Sequence, residues 1–256
     1  MMNSITQDKS TSKLVLFARR AAVIFLWLLL WHCFALYLNQ PILLVSPLQV
    51  FQRLAELAAL PSFWSAIGTS LQRIMAGFVL STVVGILLAA LAQNRILNDL
   101  LQPPMQLIKA TPVASFTIMV LFWVHSRYLA TVISFLMVLP IIFFNVYEGI
   151  AQTDTKLLDM AKVFKLSFVR RLRYIYIPSV WPYFLSAFSI ALGQAWKSGI
   201  AAEVIALPNQ SIGINLYNAK IYLLNADLLA WTTVIVALSF IIEQSFLAIV
   251  RWMNRR

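Results

Sequence analysis

The chain has 256 residues, 61% of them hydrophobic and 11% charged, with a mean hydropathy of +0.81 and a formal charge of +11. A water-soluble domain is about 45–50% apolar, so this composition excludes one and leaves a polytopic membrane protein. The single cysteine, Cys33, excludes an internal disulfide and a thiolate metal cluster, and beside Trp31, His32 and Phe34 it reads as a small buried hydrophobe.

In chain order, residues 1–13 are polar, and the tail, 1–17, reads as cytoplasmic and disordered. The apolar run at 18–38 has no small-residue cleavage site behind it and reads as an uncleaved first span. Ser46 as N-cap and Pro47 at the first helical position predict an amphipathic helix up to Leu60, lying flat at one membrane face. Residues 18–64 are therefore the first span and an external amphipathic segment. About 20 apolar residues cross the hydrocarbon as a helix, and this places further spans at 65–92, 102–124, 128–148, 179–206 and 227–250. The total is six, all helical, with local breaks expected at Pro103-Pro104, Pro112 and Pro140. A transmembrane domain covers 65–250, followed by a short tail at 251–256.

Basic residues in short loops mark the cytoplasmic side. Lys9, Lys13, Arg19 and Arg20 precede the first span, Arg95 and Lys109 flank the turn into the third, six basic residues occupy 156–173, and Arg251, Arg255 and Arg256 close the chain. The other side carries Arg53, Arg127 and Lys220. Both termini and the loop at 149–178 are thereby expected in the cytoplasm. Anionic lipid accounts for the basic excess, and no nucleic-acid partner is required.

The segment from Glu148 to Lys165 is a polar island between apolar spans. Leu157, Leu158, Ala161 and Phe164 recur at helical spacing, with Asp154, Lys156, Asp159, Lys162 and Lys165 on the remaining surface. Asp154 suits the start of a helix and Lys162 and Lys165 its end. Such a helix either joins two spans as a solvated connector or presents a docking surface.

The residues on its C-terminal side favour docking. Asp159-Met160-Ala161, three residues, Lys165, nine residues, then Ile175-Tyr176-Ile177-Pro178 resembles the cytoplasmic loop of membrane subunits of bacterial binding-protein-dependent ATP-binding-cassette (ABC) importers. That loop reads Glu-Ala-Ala, three residues, Gly, nine residues, Ile-x-Leu-Pro. The spacing is the same throughout, while Asp159, Met160, Lys165 and Ile177 replace the family's residues. The likeness extends over 65–250 and is nearest to the nitrate, sulfonate and taurine subgroup. It is carried by Ser70-Leu71-Gln72-Arg73 with Gly77-Phe78, by Ala195-Trp196-Lys197-Ser198 with Ala201-Ala202-Glu203, and by Ser211-Ile212-Gly213 with Tyr217-Asn218-Ala219.

The resemblance implies a type I ABC importer permease fold in a bacterial cytoplasmic (inner) membrane, with a coupling helix at 153–165 seated in a cleft of a separate cytoplasmic ATPase. The coupling residues would be Asp154, Leu157, Leu158, Asp159, Met160, Ala161, Phe164, Lys165, Ile175, Ile177 and Pro178. It also implies an extracytoplasmic substrate-binding protein, a permease homodimer around one path, and ATP and Mg bound by the partner ATPase, with no cofactor on this chain. Taking Leu158, Ala161 and Phe164 as the docking ridge, Ala161→Asp is expected to leave the fold intact and release the ATPase. Lysine at the family's glycine position costs about 1 kcal/mol if a left-handed terminus is needed, so a shifted helix end is expected.

The chain has no Gly-x-x-x-x-Gly-Lys-Ser/Thr loop to cradle nucleotide phosphates. His32 and His125 are far apart and read as packing or interfacial residues. Arg73, Lys197 and Glu203 lie inside spans, where a charge facing lipid is expensive; they are candidate pathway residues or mutually satisfied interior charges. Ala187, Ala191 and Ala195 form a small-residue ladder that serves intrachain packing or a dimer seam. The cargo is a small solute, anionic such as a sulfonate, taurine or nitrate, or like a vitamin precursor. The competing class is an ion-coupled secondary transporter or channel, for which discontinuous helices and repeats are the expected mark; a membrane enzyme is weaker, since no catalytic set converges.

Overall fold

The computed structural model describes residues 4–40 and 43–253. Helix α1 spans Ser4–Leu38. The tail expected to be disordered is helical from Ser4 onward, because no Gly or Pro interrupts 4–38 and the apolar half propagates its helix into the polar half. Helix α2 spans Pro47–Ala58, as its cap predicts: the Gln49 N–H donates to Ser46 Oγ, and the Gln49 side chain accepts from the Ser46 N–H at 3.1 Å.

Three long helices form the centre: α3 (Pro61–Leu91), α6 (Ser126–Ala151) and α9 (Ile177–Ala206). Their register follows from small residues. A Cβ at Gly77 would overlap the Thr131 carbonyl, and one at Gly85 would press on Ile142, so both numbers rise together and α3 runs parallel to α6. Helix α9 is antiparallel to α6, since Gly149 faces Tyr183 while Ser134 Oγ donates to the Ala195 carbonyl at 3.1 Å. Ile74, Phe78, Leu129, Ile133, Ile142 and Phe143 are fully enclosed between them. The ladder Ala187, Ala191 and Ala195 is buried inside the chain as well, so it serves intrachain packing and does not form an exposed seam.

The third expected span is broken. Helix α4 (Arg95–Ala110) and helix α5 (Val113–Leu121) meet at 105°. Pro112 lacks an N–H and drives Thr111 into extended backbone, ψ 130°, which ends α4. Pro103 and Pro104 do not end it, because Asp99 and Leu100, whose carbonyls they leave unpaired, are exposed. Helix α4 lies at the level of Phe144, which carries the Lys109 ammonium over its ring at 5.5 Å. Helix α5 lies with Leu129, Ile133 and Ala202 at the opposite end. Parallel α3 and α6 require the connection to return, so α4 and α5 together make the crossing expected of 102–124, with the bend at Pro112, where a break was expected.

After α6 come α7 (Thr155–Val163), α8 (Phe168–Arg171), a π-helical turn (Leu172–Tyr176) and α9. The helix that carries the expected span 179–206 therefore begins earlier, at Phe168. Pro178 cannot donate, and at its edge the Ile177 N–H reaches back to the Leu172 carbonyl, a ring one residue wider than in an α-helix. The 39 residues to Ala206 form one rod, about 58 Å long at 1.5 Å per residue against about 30 Å of hydrocarbon. Helix α10 (Ile212–Ile221) and helix α11 (Asn225–Met253) complete the chain. Helix α11 seals the bundle through a stacked Phe188–Phe246 pair at 4.4 Å and the Trp196 indole N–H donating to Ile235 O at 3.1 Å. It also meets α2, where Arg53 Nη2 donates to Asp227 Oδ2 at 3.0 Å.

Candidate functional site

The polar island folds as the short helix α7. Asp154 is its N-cap, accepting the Lys156 N–H at 2.8 Å. Its far end closes as a Schellman turn: the Lys165 N–H donates to Lys162 O at 3.0 Å and the Leu166 N–H to Ala161 O at 2.9 Å. Lys165 holds the left-handed position itself, at φ 50°. The helix end is thus not shifted; lysine adopts the conformation that glycine would take.

The exposed apolar edge of α7 is not the expected Leu158, Ala161 and Phe164 set. Ala161 is 1% exposed and Leu158 half-buried, so both face the chain's own interior. Leu157, Met160 and Phe164, spaced three and four residues apart on one face, point outward together with Val163, and Phe164 is 70% exposed. Asp159 pairs with Lys162 at 2.9 Å on the exposed side, where such a pair adds little. Beyond the turn Ile175 is buried, while Ile177 and Pro178 are exposed.

A second cluster surrounds Glu203, which is 0% exposed. The end of α9, the start of α10 and the N-terminal part of α3 meet there. Ser70 Oγ donates to Glu203 Oε2 at 2.7 Å and accepts the Ile212 N–H at 2.9 Å. The Gly213 N–H donates to the same Oε2 at 3.3 Å, and the Ile214 N–H to Ser211 Oγ at 3.1 Å. The first three N–H groups of α10, which no helix satisfies by itself, thus each find an oxygen. Gly213 is required, since a Cβ there would overlap Glu203 Cβ. Arg73 Nη1 stands 3.7 Å from Glu203 Oε1, and its Nη2 donates to Asn209 O at 3.3 Å.

Arg73 and Glu203 are therefore partners of each other, with Glu203 fully enclosed and Arg73 keeping a partly exposed side chain. Lys197 belongs to neither: it is exposed between buried Trp196 and Ser198, on the face of α9 that carries Ile190 and Gly193. Nothing lies within 4 Å of a Cβ built at Gly193, so this face is open. Sequence reasoning missed Ser70, Ser211 and Gly213 as partners of Glu203. The signal was at hand, because the three segments that carried the family likeness are the three that converge on this carboxylate.

Comparison with known proteins places these features. A family model described as "Binding-protein-dependent transport system inner membrane component" matches residues 81–256. The chain is 27% identical over 195 residues to the bicarbonate transport system permease protein CmpB of Synechococcus elongatus, covering 75% of this chain and 70% of that one. It is 24% identical over 228 residues to the taurine transport system permease protein TauC of Escherichia coli, covering 86% and 82%. Among solved structures, one described as an amino acid ABC transporter with histidines superposes with a TM-score of 0.61 at 14% identity, over 77% of this chain and 94% of that one.

Proposed function

Because the chain belongs to the family of binding-protein-dependent transport system inner membrane components, we propose that it lines the path of an ATP-driven importer for a small oxyanion. Permease relatives named for bicarbonate and taurine support that cargo class. Two copies would enclose one path with Lys197 facing it, since a lysine on an open span face is costly against lipid and favourable beside water and an anion. A binding protein would deliver the solute at the outer face, and both termini and α7 would lie in the cytoplasm of a bacterial inner membrane. ATP and Mg would be held by the partner ATPase alone.

The observation that carries this function is α7: a capped nine-residue helix whose outward edge, Leu157, Met160 and Phe164, is apolar and whose base continues into the longest rod in the molecule. A short rigid helix with such an edge fits a protein groove, and the rod can pass its movement across the membrane. The coupling set is accordingly Asp154 as cap, Leu157, Met160 and Phe164 as ridge, Leu158 and Ala161 as the base that seats the helix, and Asp159 on the flank. Lys165 closes the end, and Ile175, Ile177 and Pro178 lie in the first part of the rod that follows. The helix breaks at α4–α5 and α9–α10 are of the kind assigned to ion-coupled transporters, but the family match over 81–256 decides for the ATP-driven class.

Co-purification of the ATPase with the membrane-extracted chain tests the proposal. Met160→Glu together with Phe164→Glu should leave membrane abundance within twofold and reduce retained ATPase at least tenfold. Full retention with normal transport would sink the docking assignment.

A further inference from the structure

The corner between α9 and α10 is held more tightly than a connection requires. Leu207 and Gln210 both sit in left-handed backbone, at φ 51° and 53°, a conformation that residues with side chains keep only where their surroundings impose it. Those surroundings come from three helices. The Leu207 N–H donates to Glu203 O at 2.9 Å, Ser211 Oγ to Pro208 O at 2.8 Å, and Arg73 reaches Asn209 O from α3. The start of α10 is also deep. It lies level with Ser70, nine residues into α3, about 14 Å from that helix's outer end at 1.5 Å per residue.

Glu203 takes one N–H at this corner, that of Gly213, and the other two have partners of their own. Ser211 already caps α10, and Ser70 takes the Ile212 N–H without help. A buried ion pair is weak evidence of stabilisation, and this one is not closed. Arg73 Nη1 and Glu203 Oε1 face each other without a hydrogen-bond partner, and a shift of less than about 1 Å would join them. The carboxylate also rides on the same continuous rod that begins at Phe168, next to α7.

Resting on the importer proposed above, we infer that Glu203 is a positioning residue for transport. It fastens the outer end of the rod at once to α3 and to the start of α10, so that displacement of α7 moves α10 at the outer mouth instead of being lost in a loose turn. Arg73 supplies the slack: its contact with Glu203 tightens or relaxes as the rod shifts, while Ser70 keeps α10 attached.

The test uses the assembled transporter, this chain with its ATPase and its binding protein, in lipid nanodiscs. It reads ATP hydrolysis with and without the binding protein, and backbone hydrogen exchange at 207–214 and 155–166. Glu203→Gln should keep basal hydrolysis within twofold, lose at least fivefold of the stimulation by binding protein, and speed exchange at 207–214 at least tenfold with 155–166 unchanged. Arg73→Gln combined with Glu203→Gln removes both charges, and it should restore membrane abundance without restoring stimulation. Recovery of stimulation in that double variant would show that Glu203 only balances Arg73 and would overturn the inference, as would normal stimulation in Glu203→Gln. Where Glu203→Gln fails to accumulate, Ser70→Ala replaces it, with a three- to tenfold loss of stimulation expected; unchanged stimulation overturns the inference there too. A wild-type complex in which the binding protein stimulates nothing defeats the importer reading first and the inference with it.

Discussion

Lys165 keeps a backbone conformation that costs glycine nothing and a lysine about 1 kcal/mol. Its side chain is exposed, so no packing offsets that strain. Lys165→Gly should therefore stabilise the end of α7 by about 1 kcal/mol, read as slower amide exchange at 160–166, with no change in which residues are helical. Lys197 makes the opposite case, because its position offers no structural service. Lys197→Met should leave membrane abundance unchanged and cut uptake at least tenfold, while Lys197→Arg keeps part of it. Normal uptake by abundant Lys197→Met protein would remove Lys197 from the path. The sequence set Lys197 and Glu203 side by side as charges of unknown partnership. Spacing along one helix showed only that they do not share a face; that Arg73 on another helix stands beside Glu203 is a tertiary fact that no local pattern carries.

At the scale of elements, α7 shows how far periodicity reaches. Its spacing identified the helix and its apolar residues but not which of them the fold leaves exposed. Leu158 and Ala161 are as apolar as Leu157 and Met160, and only the seat of α7 against its own chain separates them. Ala161→Asp, expected from the sequence to leave the fold intact, should instead bury a carboxylate without a partner, at a cost on the order of 3 kcal/mol or more. The measurable outcome is loss of folded protein from the membrane fraction, whereas Ala161→Ser should accumulate normally. The spans were legible by length alone, since about 20 apolar residues leave few alternatives. In the third, Pro112 marked the break, but the 105° angle between its halves is set by packing against α6 and α9, which no local run records.

For the molecule as a whole, parallel α3 and α6 fix how the two ends of the bundle are related, and the basic loops predict which end faces the cytoplasm. Residues 149–178 and Ser62 fall on opposite sides. After Cys33→Ala, a cysteine at Ser62 should react with a membrane-impermeant thiol reagent in intact cells, and one at Ser167 should react only after lysis. Both positions are exposed, so accessibility within the fold does not confuse the reading, and the reverse labelling pattern would invert the orientation. Much of the whole-molecule plan was legible in the sequence for this reason, since charge bias and span number act on the chain as it inserts. The junction of α3, α9 and α10 was not legible, because it is made by residues 133 and 142 positions apart along the chain.

Helix α1 remains, and it touches the rest of the molecule chiefly through α2, with Val23 through Leu30 largely uncovered. A span that stores so little packing energy in the bundle escapes the constraint that fixes the residues of α3 and α6. Exchanges among its uncovered residues that keep them apolar should cost the fold little, whereas the same exchanges at Ile74 or Ile142, which are fully enclosed, would leave a cavity or a clash.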